Sequence, residues 1–349
     1  MKKEKERKGG DIQIRWRGVT LAAPMPAPRR LAILMLILTT AAWGLSFPGG
    51  KALLTAAGGA LPGRDPWFFS SLMIGVRFGL GALLLWLAHP RAFVQMRASE
   101  WRQGLGLGVC GGLGMLFQAD GLAFTEASTS AFLTQFASVL VPLLIVLRTR
   151  RAPSLFVIFC VALVIAGVAV LARLDWRAMR LGRGELETLI GTAFFACQIL
   201  WLGRPVFLGN HTGRVTLVMF LTIAVLLAPV VATHAHRAGD VLILVSTGPL
   251  ALTLIALTLV CSLFAFLMMN RWQPFVDATT AGIVYCTEPL FATVFALFLP
   301  AWLGRFVKID YANERATPHL LIGGALITVA NLLIALKPEA PADRPGTGR

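Results

Sequence analysis

The chain has 349 residues, 56% of them from the AVILMFWYC set and only 14% charged, where a soluble globular domain carries about a quarter charged. A mean hydropathy of +0.73 excludes a water-facing enzyme, a disordered chain and a collagen-like chain, and predicts a polytopic membrane protein. The net charge of +15 is not a nucleic-acid footprint: nine of the 32 Lys and Arg fall in residues 1–30, and nearly all the rest lie in short gaps between apolar runs, with no basic face interleaved with aromatics.

In chain order, residues 1–30 form a basic tail, too polar and too proline-rich for a cleaved signal peptide. Ten stretches then approach the roughly 20 apolar residues that a helix needs to cross hydrocarbon. They are Leu31–Leu54, Pro66–Ala88, Gly104–Phe124, Ser128–Leu147, Ser154–Leu171, Glu185–Leu208, Val215–Val231, Pro249–Met269, Thr279–Pro300 and Pro318–Leu336. Residues 337–349 form a second polar tail. An even count puts both tails on one side. Placing them in the cytoplasm gives the cytoplasmic segments more than twice the Lys and Arg of the outer ones, so the expected site is the cytoplasmic membrane with both ends inside. The loop with Arg173, Arg177, Arg180 and Arg183 dissents. Five cysteines, all within apolar runs and without a CxxC pair, read as small hydrophobes.

The sequence also repeats. Phe124-Thr-Glu-Ala-Ser-Thr129 opens span 4 and Phe275-Val-Asp-Ala-Thr-Thr280 opens span 9, at an offset of 151 residues. The same offset lays spans 2 and 3 over spans 7 and 8. Glu126 and Asp277, each just before a helix, are placed to cap free backbone N–H groups. Each half holds five spans, an odd number, so the second half must insert upside down. Inverted repeats of this kind supply two related conformations, one open to each side, around a midplane site. The expected fold is therefore all-α and integral to the membrane, with ten helices as two inverted five-helix repeats (31–171 and 185–336) around a central cavity.

Ala42-Trp-Gly-Leu-Ser-Phe47, Arg77-Phe78, Gly121-Leu-Ala-Phe-Thr-Glu-Ala-Ser-Thr-Ser-Ala-Phe-Leu133, Thr287-Glu-Pro-Leu-Phe291 and Gly323-Gly-Ala-Leu-Ile327 together resemble the drug/metabolite transporter superfamily, within it the EamA-type ten-helix carriers. The resemblance implies a bundle around a central cavity and export or exchange of small metabolites. Two features depart from that pattern: Asp120 stands where an apolar residue is usual, and the Ala301–Thr317 loop is longer than the norm.

Ionisable groups inside a membrane cost about 2.5–3.5 kcal/mol each and tend to face a cavity or a partner. Glu288 lies nine residues into span 9, about 13 Å from its start. It is a candidate for binding a proton on one side and releasing it on the other, or else half of a packing ion pair with Arg77. Arg77, near the middle of span 2, is the expected partner of Glu288 or Asp120, or an anchor for an anionic substrate. Asp120, Gln135, Gln198 and Tyr285 complete the candidate substrate and proton-coupling set, with interhelical hydrogen bonding as the plainer reading of the last three. Lys51 reads as a snorkelling side chain. Gly106-Leu-Gly-Val-Cys-Gly111 matches a dinucleotide fingerprint but lies inside an apolar run without a preceding strand. Gly104, Gly108 and Gly112 within it read as a close-packing stripe. His234 and His236 lack a third metal ligand nearby.

The primary expectation is a non-enzymatic secondary transporter that exports small organic metabolites, coupled to protons through Glu288 and needing no cofactor. Its expected partners are a metabolite, protons and the bilayer, with no nucleic acid. Two alternatives stand beside it: an uncoupled exchanger or facilitator of phosphorylated or anionic metabolites, and a non-transporting scaffold or receptor.

Overall fold

A computed structural model describes residues 29–137, 139–141, 143–144, 155–171, 181–202, 204–207, 209–235, 237–276 and 284–336. Nearly all of the 1–30 tail, the 337–349 tail, Asp277, His236, Arg173, Arg177 and Arg180 lie outside the described residues. The described residues form no strand. Their helices are α1 (Arg29–Ala60), α2 (Pro66–Ala88), α3 (Ala98–Phe124), α4 (Ala127–Thr134), α5 (Leu155–Leu171), α6 (Arg183–Leu202), α7 (Thr212–His234), α8 (Ala238–Ser246), α9 (Gly248–Ala256), α10 (Ala265–Trp272), α11 (Glu288–Phe298), α12 (Pro300–Val307) and α13 (Pro318–Leu336). A π-helical stretch, Leu257–Phe264, joins α9 to α10.

Six of these helical stretches are long and apolar enough to cross a membrane: Arg30–Ala60, Pro66–Ala88, Ala98–Phe124, Arg183–Leu202, Thr212–His234 and Gly248–Met269. They coincide with the expected spans 1, 2, 3, 6, 7 and 8. Of the other four, α5 and α13 follow expected spans 5 and 10 almost residue for residue, while spans 4 and 9 differ. Ala127–Val141, Ile158–Leu171 and Pro318–Leu333 are shorter apolar helices, and α11 and α12 form a pair bent by 61°. Span 9 is also broken earlier, because α11 begins at Glu288 with Pro289 in its first turn. Proline has no N–H to give a preceding turn, and its fixed φ suits a helix start. Glu288 therefore sits at a helix N-terminus and not nine residues into a continuous helix.

Local chemistry sets several helix ends. Asp65 caps α2 through Trp67 N at 2.8 Å, ahead of Pro66. Glu100 folds back on Arg97 N at 2.8 Å to start α3. The expected cap of α4 is different: Glu126 holds the N-cap position without a side-chain cap bond. Glu314, from the long loop before α13, accepts from Ala127 N at 2.7 Å and also from the Ser128 hydroxyl. That loop is long enough to fold back, where Glu314 N donates to Ala296 O at 3.0 Å.

Glycines let the helices close up. A Cβ on Gly104 would lie 2.5 Å from Val218 Cβ, and one on Gly108 would lie 2.4 Å from Thr222 Cβ. The α3 stripe is thus a packing seam against α7. The largest core cluster spans α1, α2, α3, α7 and the α9–α10 region, with Phe78, Phe220 and Phe266 meeting edge to face at its centre. A second cluster joins α4, α5 and α13 through Leu133, Val164 and Ile327. Exposed Phe159, Ile165, Leu321 and Val329 leave an apolar outer surface on α5 and α13, as a lipid-facing surface requires.

Candidate functional site

A cavity of about 690 Å³ lies inside the bundle, within the 300–1,000 Å³ range usual for small-molecule sites. Trp43 and Phe47 of α1, Met73 and Ile74 of α2, Phe195 of α6 and Phe266 of α10 form much of its apolar wall. Towards one end it reaches Gly209, Asn210 and Thr212 at the start of α7.

Five of the six sequence candidates line this cavity: Arg77, Gln135, Gln198, Tyr285 and Glu288. Glu288 accepts from Gln135 Nε2 at 3.4 Å. Its depth is fixed by Gly44, where a Cβ would lie 2.8 Å from Ala292 N and 3.1 Å from Glu288 O. Any side chain at residue 44 would push α1 away from the start of α11. A Thr40–Thr287 hydroxyl bond of 3.0 Å ties the same two helices. Tyr285 donates to Gln273 Oε1 at 2.9 Å and tilts against Trp43, with ring centroids 6.0 Å apart. Gln198 donates to Leu107 O at 3.1 Å.

Arg77 pairs with neither of its expected partners. It is 7% exposed, and its Nε donates to the Ser262 hydroxyl, a neutral partner carried by the π-helical stretch. A π turn widens the helix locally and is common at functional sites. A lone serine in an apolar run gave no sequence signal for this role. Gln118, which donates to Thr134 Oγ1 at 2.7 Å and lines the same cavity, was also passed over as a site candidate.

Asp120 lies elsewhere. It is fully buried and accepts from Ser70 Oγ at 3.1 Å and from Arg183 Nη2 at 2.6 Å. Arg183 also pairs with Glu187 at 2.8 Å and stacks over Phe124, 4.1 Å from the ring centre. One arginine of the dissenting loop thus answers the unusual acid of span 3. Lys51 is likewise not in the cavity. It donates to Thr125 O and lines a polar crevice with Glu126 and Glu185, while Thr125 Oγ1 donates to Glu185 Oε1 at 2.6 Å. Asp120, Lys51 and Glu314 therefore belong to one polar lattice at the end of the bundle opposite Asn210.

At that opposite end Glu100, 1% exposed, accepts from His211 N at 2.9 Å. Ser99 and Gln103 both bond Asn210 at 2.8 Å. No group of three His, Cys, Asp or Glu with metal-site geometry occurs among the described residues.

A model of the EamA-like transporter family matches residues 30–173. An uncharacterized transporter of Archaeoglobus fulgidus is 24% identical over 312 residues, covering 88% of this chain and 87% of that one. A solved crystal structure, 18% identical, superposes with a TM-score of 0.52 over 88% of this chain and 97% of its own; that likeness concerns the fold alone.

Proposed function

We propose that the chain is an EamA-like membrane transporter, as its match over residues 30–173 and its similarity to an uncharacterized transporter support, and that it is a secondary transporter exporting small organic metabolites across the cytoplasmic membrane. In this reading both tails face the cytoplasm. Two inverted five-helix halves, 31–171 and 185–336, rock about the central cavity. The observation that carries the proposal is a single cavity holding one cation, Arg77, and one acid, Glu288, with no ion pair between them. A purely structural pair would be closed on itself. A scaffold would have no use for the unpaired charges, each expensive to keep in a membrane.

The inverted arrangement is supported by the helix neighbours. Exchanging the halves maps α1 onto α6, α2 onto α7, α3 onto α9–α10, α4 onto α11 and α5 onto α13. The α2–α7, α4–α11 and α5–α13 contacts map onto themselves. The α3–α6 contact maps onto α1–α10, and α1–α11 maps onto α4–α6. Gly167 and Gly323 meet backbone to backbone between α5 and α13, each close to the other's carbonyl, which lets these two helices pack closely.

The polar lattice of Lys51, Thr125, Glu185, Asp120, Arg183 and Glu314 closes the outer end in this arrangement, while the cavity reaches towards Asn210 at the cytoplasmic end. Transport would require the lattice to part as the cytoplasmic side closes. Glu288 would exchange a proton between the two states, held in place by Gln135 and the start of α11. The test is flux of a metabolite mixture in reconstituted vesicles with an imposed pH gradient. Wild type should respond to the gradient, and Glu288→Gln should lose that response. An unchanged gradient response in Glu288→Gln would remove the coupling role and leave the uncoupled exchanger.

A further inference from the structure

The charges in the cavity are unequally answered. Arg77 and Glu288 are the only Lys, Arg, Asp or Glu among its described lining residues. Glu288 accepts from Gln135 and lies in the first turn of α11, where the helix end is positive. Arg77 has only the neutral Ser262 on its Nε, and no described carboxylate is in ion-pair range of it. The nearby basic candidates are occupied elsewhere: Lys51 on Thr125 O and Arg183 on Asp120 and Glu187. Arg77 is the one described cation in the cavity lining, on a side chain 7% exposed.

On the reading that this cavity is the transport site, we propose that its substrate class is a singly charged organic acid with a flat apolar body, its carboxylate seated on the two terminal nitrogens of Arg77. With Nε held by Ser262, those two nitrogens form the free edge of the guanidinium, and a carboxylate matches such a pair with two parallel hydrogen bonds. One guanidinium balances one negative charge. A phosphate dianion would bring a second charge into a cavity whose described lining holds no second cation and already holds an acid, which strongly disfavours it. The rest of the molecule would lie among Trp43, Phe47, Phe195, Phe266, Met73 and Met219. Aromatic faces and thioethers accept a ring-bearing apolar body by stacking and by sulfur–aromatic contact.

The test compares ligands that share one ring and differ in charge: 3-phenylpropionate, its neutral amide, phenethylamine and phenyl phosphate. Binding to the purified full-length chain in nanodiscs is read calorimetrically, and flux is read separately in vesicles. The expected result is that the carboxylate binds about tenfold or more tightly than the other three, that Arg77→Gln abolishes this preference, and that Arg77→Lys keeps it in weakened form. Circular dichroism identifies a misfolded Gln variant, in which case the Lys variant decides: it must favour the carboxylate less strongly than wild type. Preference for the amine or the phosphate, an unaltered preference in the folded Arg77 variants, or binding of none of the four overturns the proposal. Carboxylate binding without flux would instead overturn the transport reading and leave the anion site standing. Flux of the amine without carboxylate binding would do the reverse.

Discussion

At the residue scale, polar groups in apolar runs were conspicuous in the sequence, and Arg77, Gln135, Gln198, Tyr285 and Glu288 do line one cavity. What each one touches was not visible. Arg77 reaches Ser262 and not Glu288, because the π turn brings that hydroxyl to it. Asp120 reads as a membrane-buried acid, yet its partner Arg183 lies 63 residues away. Ser262 is a positioning residue in this arrangement. Ser262→Ala should raise the KM for an aryl carboxylate by about tenfold with little change in maximal rate, and Ser262→Thr, which keeps the hydroxyl, should restore it. Equal loss of both parameters, or failure of Thr to rescue, would mark Ser262 as packing alone. The Asp120–Arg183 pair is tested by a double-mutant cycle. Asp120→Ala alone should cost about 1–3 kcal/mol by leaving the buried Ser70 hydroxyl without its partner, and because Arg183 is 46% exposed and still held by Glu187, adding Arg183→Ala should cost little more.

At the element scale, helix existence was legible wherever an apolar run was long and uninterrupted, and breaks were not. Pro289 and Pro300 divide the ninth apolar run, because each suits a helix start better than a helix interior. The start of α4 shows a cap passing from the local Glu126 to the distant Glu314. Burial holds Glu314 above the usual carboxylate range, only partly offset by its bonds to Ser128 and Ala127. An acid with a raised folded pKa binds its proton more readily in the folded chain, so it favours folding at low pH. That contribution is lost as pH rises from the unfolded value of about 4.5 through the folded one. Glu314→Ala should therefore lower stability by about 1 kcal/mol at acid pH through loss of the cap. The gap to wild type should narrow as pH rises, which thermal unfolding across pH will measure. A gap that widens with pH would reverse the assigned sign. Gly44→Ala places a methyl 2.8 Å from Ala292 N, so α1 and α11 must separate. It should lower the midpoint of unfolding and reduce flux together.

At the scale of the whole molecule, the helices enclose a cavity and are tied at one end by ionic and hydrogen-bonded contacts. This polar lattice joins the α1–α4 region to α6 and the 308–317 loop through Lys51, Asp120, Thr125 and Glu314. Each of these contacts would have to break for the cavity to open on that side. In the proposed orientation, the double variant Asp120→Ala, Glu314→Ala should therefore shift the population towards a state open on that side. A cysteine introduced at Leu122, on the cavity wall, in a background lacking the native cysteines should then react faster with an impermeant maleimide added from outside. No change in the labelling rate would show that the lattice stabilises the fold without gating the cavity.

The sequence alone determined that this chain is built of apolar helices for a membrane, because composition and hydropathy are sums over residues. Which charges meet, what caps α4 and how Arg77 comes to lie on Ser262 with no described acid in range were decided only by tertiary structure. Those facts depend on side chains more than 60 residues apart arriving within 3 Å of one another, and no local pattern encodes that distance.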